Sequence, residues 1–129
     1  MGDDAQVVRG LWARWNSGDR EIDTEDIDPE VEIHSRLTST VYHGTEGFQR
    51  WAAEIDDQFD SWRVEISETR VLEDRRVLVI GSIHGRGRQS GIDLDEPAAW
   101  VVELRDGRML RMHNYVGRRA ADAAIASVS

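Results

Sequence analysis

The chain of 129 residues contains no cysteine and no lysine. Without cysteine there is no disulfide, no thiolate metal site and no sulfur nucleophile. Without lysine there is no Schiff-base or amine-nucleophile chemistry. All 16 basic side chains are arginine. Long apolar runs are also missing. The longest, Val77 to Ile80 and Ala98 to Val102, are far too short to cross a bilayer. The start, Met1-Gly2-Asp3-Asp4, is acidic and no apolar stretch follows, so no secretory signal is expected there. Gln6 stands where an N-myristoylation motif needs Ser or Thr. These absences point to a cytoplasmic protein. A net charge of −9 argues against nucleic acid and anionic membrane as partners, since both select for excess basic residues.

What is present fits one globular domain, with an ordered core over about residues 5–117. Apolar residues make up 40% of the chain and five of its nine aromatics are tryptophan. The acid excess lies in the first sixty residues, densest from Asp19 to Glu32. The irregular spacing of that run lacks the order of a calcium loop and reads as a solvated connection.

Val7, Val8, Leu11, Trp12 and Trp15 fall on one helical face, with Gly18 just past its end. A short helix around Ile22 to Ile27, stopped by Pro29, is expected next. Val31, Ile33 and Ser35 then alternate with Glu32, His34 and Arg36 as a strand. Phe48, Trp51, Ala52, Ile55 and Phe59 define a second amphipathic helix that opens at Gly44-Thr45. The rest reads as antiparallel strands: around Trp62 to Ile66, Val77 to Ile83, Ala98 to Arg105, and Arg108 to Val116 after an Asp106-Gly107 hairpin turn. The Ala-rich tail from Arg118 to Ile125 is weakly helical. Helices first and a meander after give an α+β class with a curved sheet wrapped around the helices.

Most motifs fail on inspection. Gly85-Arg86-Gly87-Arg88-Gln89-Ser90-Gly91 leads to a strand, whereas a phosphate loop must open a helix; it reads as a hairpin tip. His34, His43, His84 and His113 are scattered and lack zinc-ligand spacing, so no metal is expected. No Gly-x-Ser-x-Gly elbow occurs.

Four segments carry a resemblance. They are Val7 to Asp19, Pro29 to Ser35, Tyr42-His43-Gly44-Thr45-Glu46-Gly47-Phe48, and Trp100 through Asp106-Gly107-Arg108 to Tyr115. In this order they resemble the SnoaL-like branch of the nuclear transport factor 2-like, or ketosteroid isomerase-like, superfamily. The resemblance implies a cone: a strongly curved mixed or antiparallel sheet closed by helices over an apolar pocket, often dimeric through the convex face. Alignment with the ketosteroid isomerase member puts its oxyanion Tyr on Leu11, its base Asp on Ser35 and its protonated Asp on Trp100. None of these residues supplies the required group, which disfavours ketosteroid chemistry. The Asp-Arg-Asp set of the limonene epoxide hydrolase member finds no counterpart. The polyketide cyclase members use an inward Asp or His as acid/base; the candidates here are Asp26 near the pocket rim, or Asp93 and Asp95 on the loop before Pro97, with a solvated role for each as the favoured alternative.

The same resemblance implies a pocket lined by Leu11, Trp15, Ser35, Trp51, Ile55, Phe59, Trp100, Met112 and Asn114, with His113 and Tyr115 on the opposite face. The expected function is binding of a small hydrophobic molecule by a homodimer, without cofactor. One alternative is a cofactor-independent acid/base enzyme acting on a polyketide-, terpenoid- or steroid-like substrate. Another is that the aromatics fill a closed core and leave no pocket.

Overall fold

Val8, Trp12 and Trp15 share one stripe of helix α1 (Asp4–Asn16), and that stripe is its buried side. The computed structural model in which this is seen describes residues 4–18, 26–35 and 40–128. Helix α2 (Gly44–Gln58) buries Gly47, Phe48, Trp51, Ala52 and Ile55 by the same spacing. Six strands follow or intervene: β1 (Ile27–Ser35), β2 (Thr40–His43), β3 (Phe59–Val71), β4 (Arg76–Gly87), β5 (Asp93–Arg105) and β6 (Arg108–Val116). Helix α3 (Arg118–Val128) closes the described chain.

The strands form one sheet in the order β2-β1-β6-β5-β4-β3. β1 and β6 run parallel and every other neighbouring pair is antiparallel. The class is therefore α+β, with a curved, mixed sheet that stays open between β2 and β3. Side chains alternate between its faces. Ile33, Val64, Val79, Trp100, Val102 and Met112 face inward and pack with α1 and α2 in the main core. Leu78 and Ala99 face outward and pack with Ala121 and Ala124 of α3, so packing continues beyond residue 117.

Several local expectations are corrected. The short helix expected over Ile22 to Ile27 lies largely outside the described residues, but Ile27 itself opens β1 and Pro29 sits inside that strand. Its missing N–H is tolerated because the β1–β6 ladder is interrupted between Ile27 and Glu32. Pro97 likewise lies within β5 rather than before it, so Asp93 and Asp95 are strand residues. The Pro97 carbonyl accepts from the Gly117 N–H just past the end of β6, and its nitrogen faces the same way, where no ladder bond is required. β2 has no counterpart in the sequence reading. The glycine-rich segment does form a hairpin tip. Its Arg88 pairs with Asp60 at 2.9 Å and donates to the carbonyls of Asp56 and Phe59.

Two polar devices fix the frame. Asn16, the last residue of α1, donates to the Val64 carbonyl at 2.7 Å and accepts from the Val64 N–H at 2.9 Å. One amide thus satisfies both backbone groups of a residue on edge strand β3 and docks the helix there. Asp28, expected to be solvated, is 5% exposed. Arg105 grips it with Nε to Oδ2 at 3.0 Å and Nη2 to Oδ1 at 2.9 Å. That fork and the Glu30 N–H hold its carboxyl below the usual carboxylate range.

Gly81 marks the tightest backbone approach. It pairs with Ile66 beside an irregularity in the β3–β4 ladder. A Cβ there would lie 1.8 Å from the Glu65 carbonyl oxygen. Gly81→Ala must therefore push the two strands apart. Chemical denaturation should show a loss of about 3 kcal/mol or more. An unchanged midpoint would show that β3 yields at no cost.

Candidate functional site

The chain's five tryptophans, scattered from residue 12 to residue 100, all line one space between the helices and the inner face of the sheet. α1 contributes Leu11, Trp12, Arg14 and Trp15, and α2 contributes Phe48 and Trp51. From the sheet come Ile27, Trp62, Val64, Ile83, Trp100, and then Met109, Met112 and Asn114 on β6. The rings interlock. Trp12 stands edge-on to Trp100, with centroids 5.5 Å apart and planes at 88°. Trp15 lies 5.0 Å from Trp51, and Phe48 meets Trp51 edge-on at 5.7 Å. Such contacts suit the ring quadrupoles. They do not fill the space, which retains about 70 Å³. Leu11, Arg14 and Trp62 are the half-exposed members of the wall and mark its mouth.

Of the residues expected at a pocket, Leu11, Trp15, Trp51, Trp100, Met112 and Asn114 stand on this wall. Ile55 is buried at 2% exposure behind it, in the core proper. Phe59 is not on α2. The helix ends at Gln58, Phe59 adopts extended φ and ψ of −126° and 135°, and its ring leans on Trp62 at 4.6 Å as the first residue of β3. Ser35 is buried on the inner face but lines a separate, more polar hollow with His34, His113 and Asn114 near the end of β1. Trp12 and Trp62 were missed as wall residues. Trp12 neighbours Leu11 on the same helical stripe, and Trp62 shares the inward register of Val64.

The wall is poor in polar atoms. Among the described residues, the buried indole N–H groups of Trp12 and Trp51 find no hydrogen-bond acceptor. Arg14 at the mouth lies 3.8 Å from Asp26, the carboxylate expected near the rim. The described wall holds no Asp, Glu or His.

The titratable clusters lie instead on the outer face. His34 and His113 stack at 4.1 Å with planes 16° apart. Glu32 bonds His34 at 3.0 Å and Arg111 at 3.4 Å, and Arg111 also donates to Glu103 at 2.8 Å. These bonds, His34 foremost, hold the Glu32 carboxyl below its usual range against the opposing effect of burial. Farther along the sheet, His84 Nδ1 meets Asp95 at 2.6 Å and its Nε2 meets Ser82 at 3.0 Å. This resembles a Ser-His-Asp relay, but Glu65 lies 3.7 Å from the same Nε2. Nε2 is thus shared between Ser82 and a second carboxylate, unlike a base whose nitrogen is aligned on the serine alone. Strand β4 is interior, so its N–H groups serve the ladders and leave no oxyanion donor. Asp93 and Asp95 thus face away from the tryptophans. No group of three or more His, Asp or Glu suited to a metal ion occurs among the described residues.

Residues 8–112 match the SnoaL-like domain model, and the chain belongs to that family. No curated protein matches the sequence. Similar solved structures share its fold at low identity. A nuclear transport factor 2-like protein from Burkholderia pseudomallei superposes with a TM-score of 0.80 at 16% identity, over 100% of this chain and 99% of that one. A protein of ketosteroid isomerase-like fold from Catenulispora acidiphila, solved with trimethylamine, gives 0.77 at 15%, over 91% and 89%. IdmH of Streptomyces antibioticus, a candidate polyketide cyclase, gives 0.74 at 19%, over 96% and 99%.

One consequence of the outer-face cluster is measurable. Burial, reinforced by the His34 ring and the Arg111 guanidinium, holds His113 below its ordinary value near 6.5. Below about pH 6.5 the unfolded chain takes up a proton that the folded chain resists. Stability should therefore fall as the pH drops through that value and level off below the folded pKa. In urea titrations, His113→Gln should lose less stability than the wild type between about pH 7 and 5. Parallel profiles would show that His113 is not the group responsible.

Proposed function

We propose that the protein binds a small apolar molecule in the tryptophan-lined space. One observation carries the reading: all five indoles converge on a volume they do not fill. An unfilled apolar gap forfeits dispersion contacts that a fitting ligand restores. Apolar walls with a few polar groups are the usual form of small-molecule sites. The trimethylamine complex of the similar Catenulispora structure supports the same direction, as does the polyketide cyclase likeness of IdmH.

The volume of about 70 Å³ is under half of the roughly 150 Å³ that admits benzene in an engineered cavity. A larger ligand must extend through the mouth at Leu11, Arg14 and Trp62, or turn a wall ring aside. Binding is favoured over acid/base catalysis because the described wall offers no carboxylate or imidazole to move a proton. Leu11 and Trp100 hold positions where the resemblance places ketosteroid isomerase groups, and neither replaces their chemistry.

Native fluorescence tests the reading. Terpenoid, steroid or aromatic polyketide probes should change the tryptophan emission saturably for at least one class. Val64→Phe, which pushes a ring into the space, should weaken that midpoint at least about tenfold while the protein still melts cooperatively. No response in any class would leave a closed aromatic core as the better description. We assign the dimer contact to the outer face beside α3, around Arg111, His113 and Tyr115, in a cytoplasmic protein. Sedimentation at micromolar concentration should give twice the chain mass of 14.7 kDa. A monomer would refute the assignment.

A further inference from the structure

Strand β2 is a sheet edge and bonds to β1 alone, so the ladder between β1 and β6 joins these two strands to the other four. That ladder is interrupted between Ile27 and Glu32. It resumes over three consecutive positions, with Glu32, Ile33 and His34 against Arg111, Met112 and His113. Its inner side carries Ile33 and Met112, and Met112 lines the tryptophan space. Its outer side is titratable. The His34 and His113 rings stack 4.1 Å apart on the last rung, beside a hollow of about 320 Å³ at the end of β1. Asn114, the next residue of β6, borders both the hollow and the tryptophan space. One short seam therefore stands between the two.

We propose that the β1–β6 seam is a proton-operated gate: it is closed while His113 is neutral, and it parts from its His34 end when both stacked rings are protonated, joining the tryptophan space to the outer hollow. Its use rests on the binding reading above; the parting itself does not. Imidazoles change charge between about pH 5 and 8, and two charged rings in one stack repel. Burial, and then the His34 ring, resist a charge on His113, so the closed seam takes up that proton only at a cost. The groups around the stack set the balance. Glu32 bonds His34 and Arg111, Glu103 bonds Arg111, and His43 of β2 lies 4.0 Å from Glu32. Tyr115 follows on β6, and Arg118, Arg119 and Asp122 of α3 are exposed. With both stacked rings neutral, the Glu32 and Glu103 carboxylates face the Arg111 guanidinium alone. With both protonated, those two carboxylates face three cations. Asp28 at the other end of β1 is held below the usual carboxylate range by Arg105 and stays charged throughout. That end remains tied to β5 and acts as the hinge. The His34 end is the one that frays, because no rung follows it.

Amide hydrogen exchange of the full chain at about pH 7.5 and 5.5, corrected for the intrinsic pH dependence of exchange, reads the seam without any ligand. Residues 32–35 and 41–43 should lose at least about tenfold in protection relative to residues 77–83 of β4. Acrylamide quenching of the tryptophans should rise over the same step. His113→Phe keeps a ring for the stack but takes up no proton, and in it both changes should vanish. His113→Gln serves as the second neutral variant if the phenyl ring disturbs folding, with the same result expected. Protection lost evenly over β3, β4 and β5 would overturn the gate in favour of general destabilisation. Loss at the seam without added quenching would overturn the connection between the two spaces. A mass that halves in sedimentation at the lower pH would assign the loosening to the subunit contact and overturn the gate. If exchange and quenching behave as expected but no apolar probe binds, the gate stands and the binding reading falls.

Discussion

The inner face of a curved sheet must be covered, and here two helices cover it through indole rings supplied from both sides. Trp12 and Trp15 come from α1, Trp51 from α2, Trp62 and Trp100 from the sheet. Large rigid rings reach across a concavity that aliphatic side chains would have to fill in greater number. They also pack imperfectly where several meet at angles. The space that the rings line follows from that geometry.

The polar interactions act around this centre rather than in it. Asn16 docks the end of α1 on the edge strand, which sets where Trp12 and Trp15 point. Arg105 and Asp28 tie the start of β1 to the end of β5, across 77 residues of sequence. On the outer face, Arg111 bridges Glu32 and Glu103 across β1, β6 and β5. The first two act at a strand edge or end, where the ladder leaves groups unpaired, and the third links side chains across interior strands. The two faces of the sheet thus divide the work: charge and histidine outside, tryptophan inside.

Much of this arrangement was legible in the sequence. Local periodicity placed α1, α2 and β6, and Asp106-Gly107 placed a turn whose residues have φ of 54° and 74°. The resemblance implied a pocket lined by Trp15, Trp51 and Trp100, and these stand on the wall of the space between helices and sheet. What escaped depends on pairing between distant segments. Pro29 and Pro97 look like breaks until a ladder interruption and a neighbouring strand end make room for them. Asp28 looks solvated until Arg105 arrives. Phe59 continues the helical spacing of α2, yet β3 claims it for the sheet. Trp62 carried its signal in the alternation with Val64, but only the curvature of the sheet brings that position to the helices.

The central claim is that the tryptophan cluster encloses a real, accessible, apolar space. Xenon tests it without any assumption about the natural ligand, because it enters dry cavities by dispersion alone. Crystals exposed to xenon under pressure should show one site among Trp12, Trp51 and Trp100. The account is contradicted if xenon binds elsewhere or not at all.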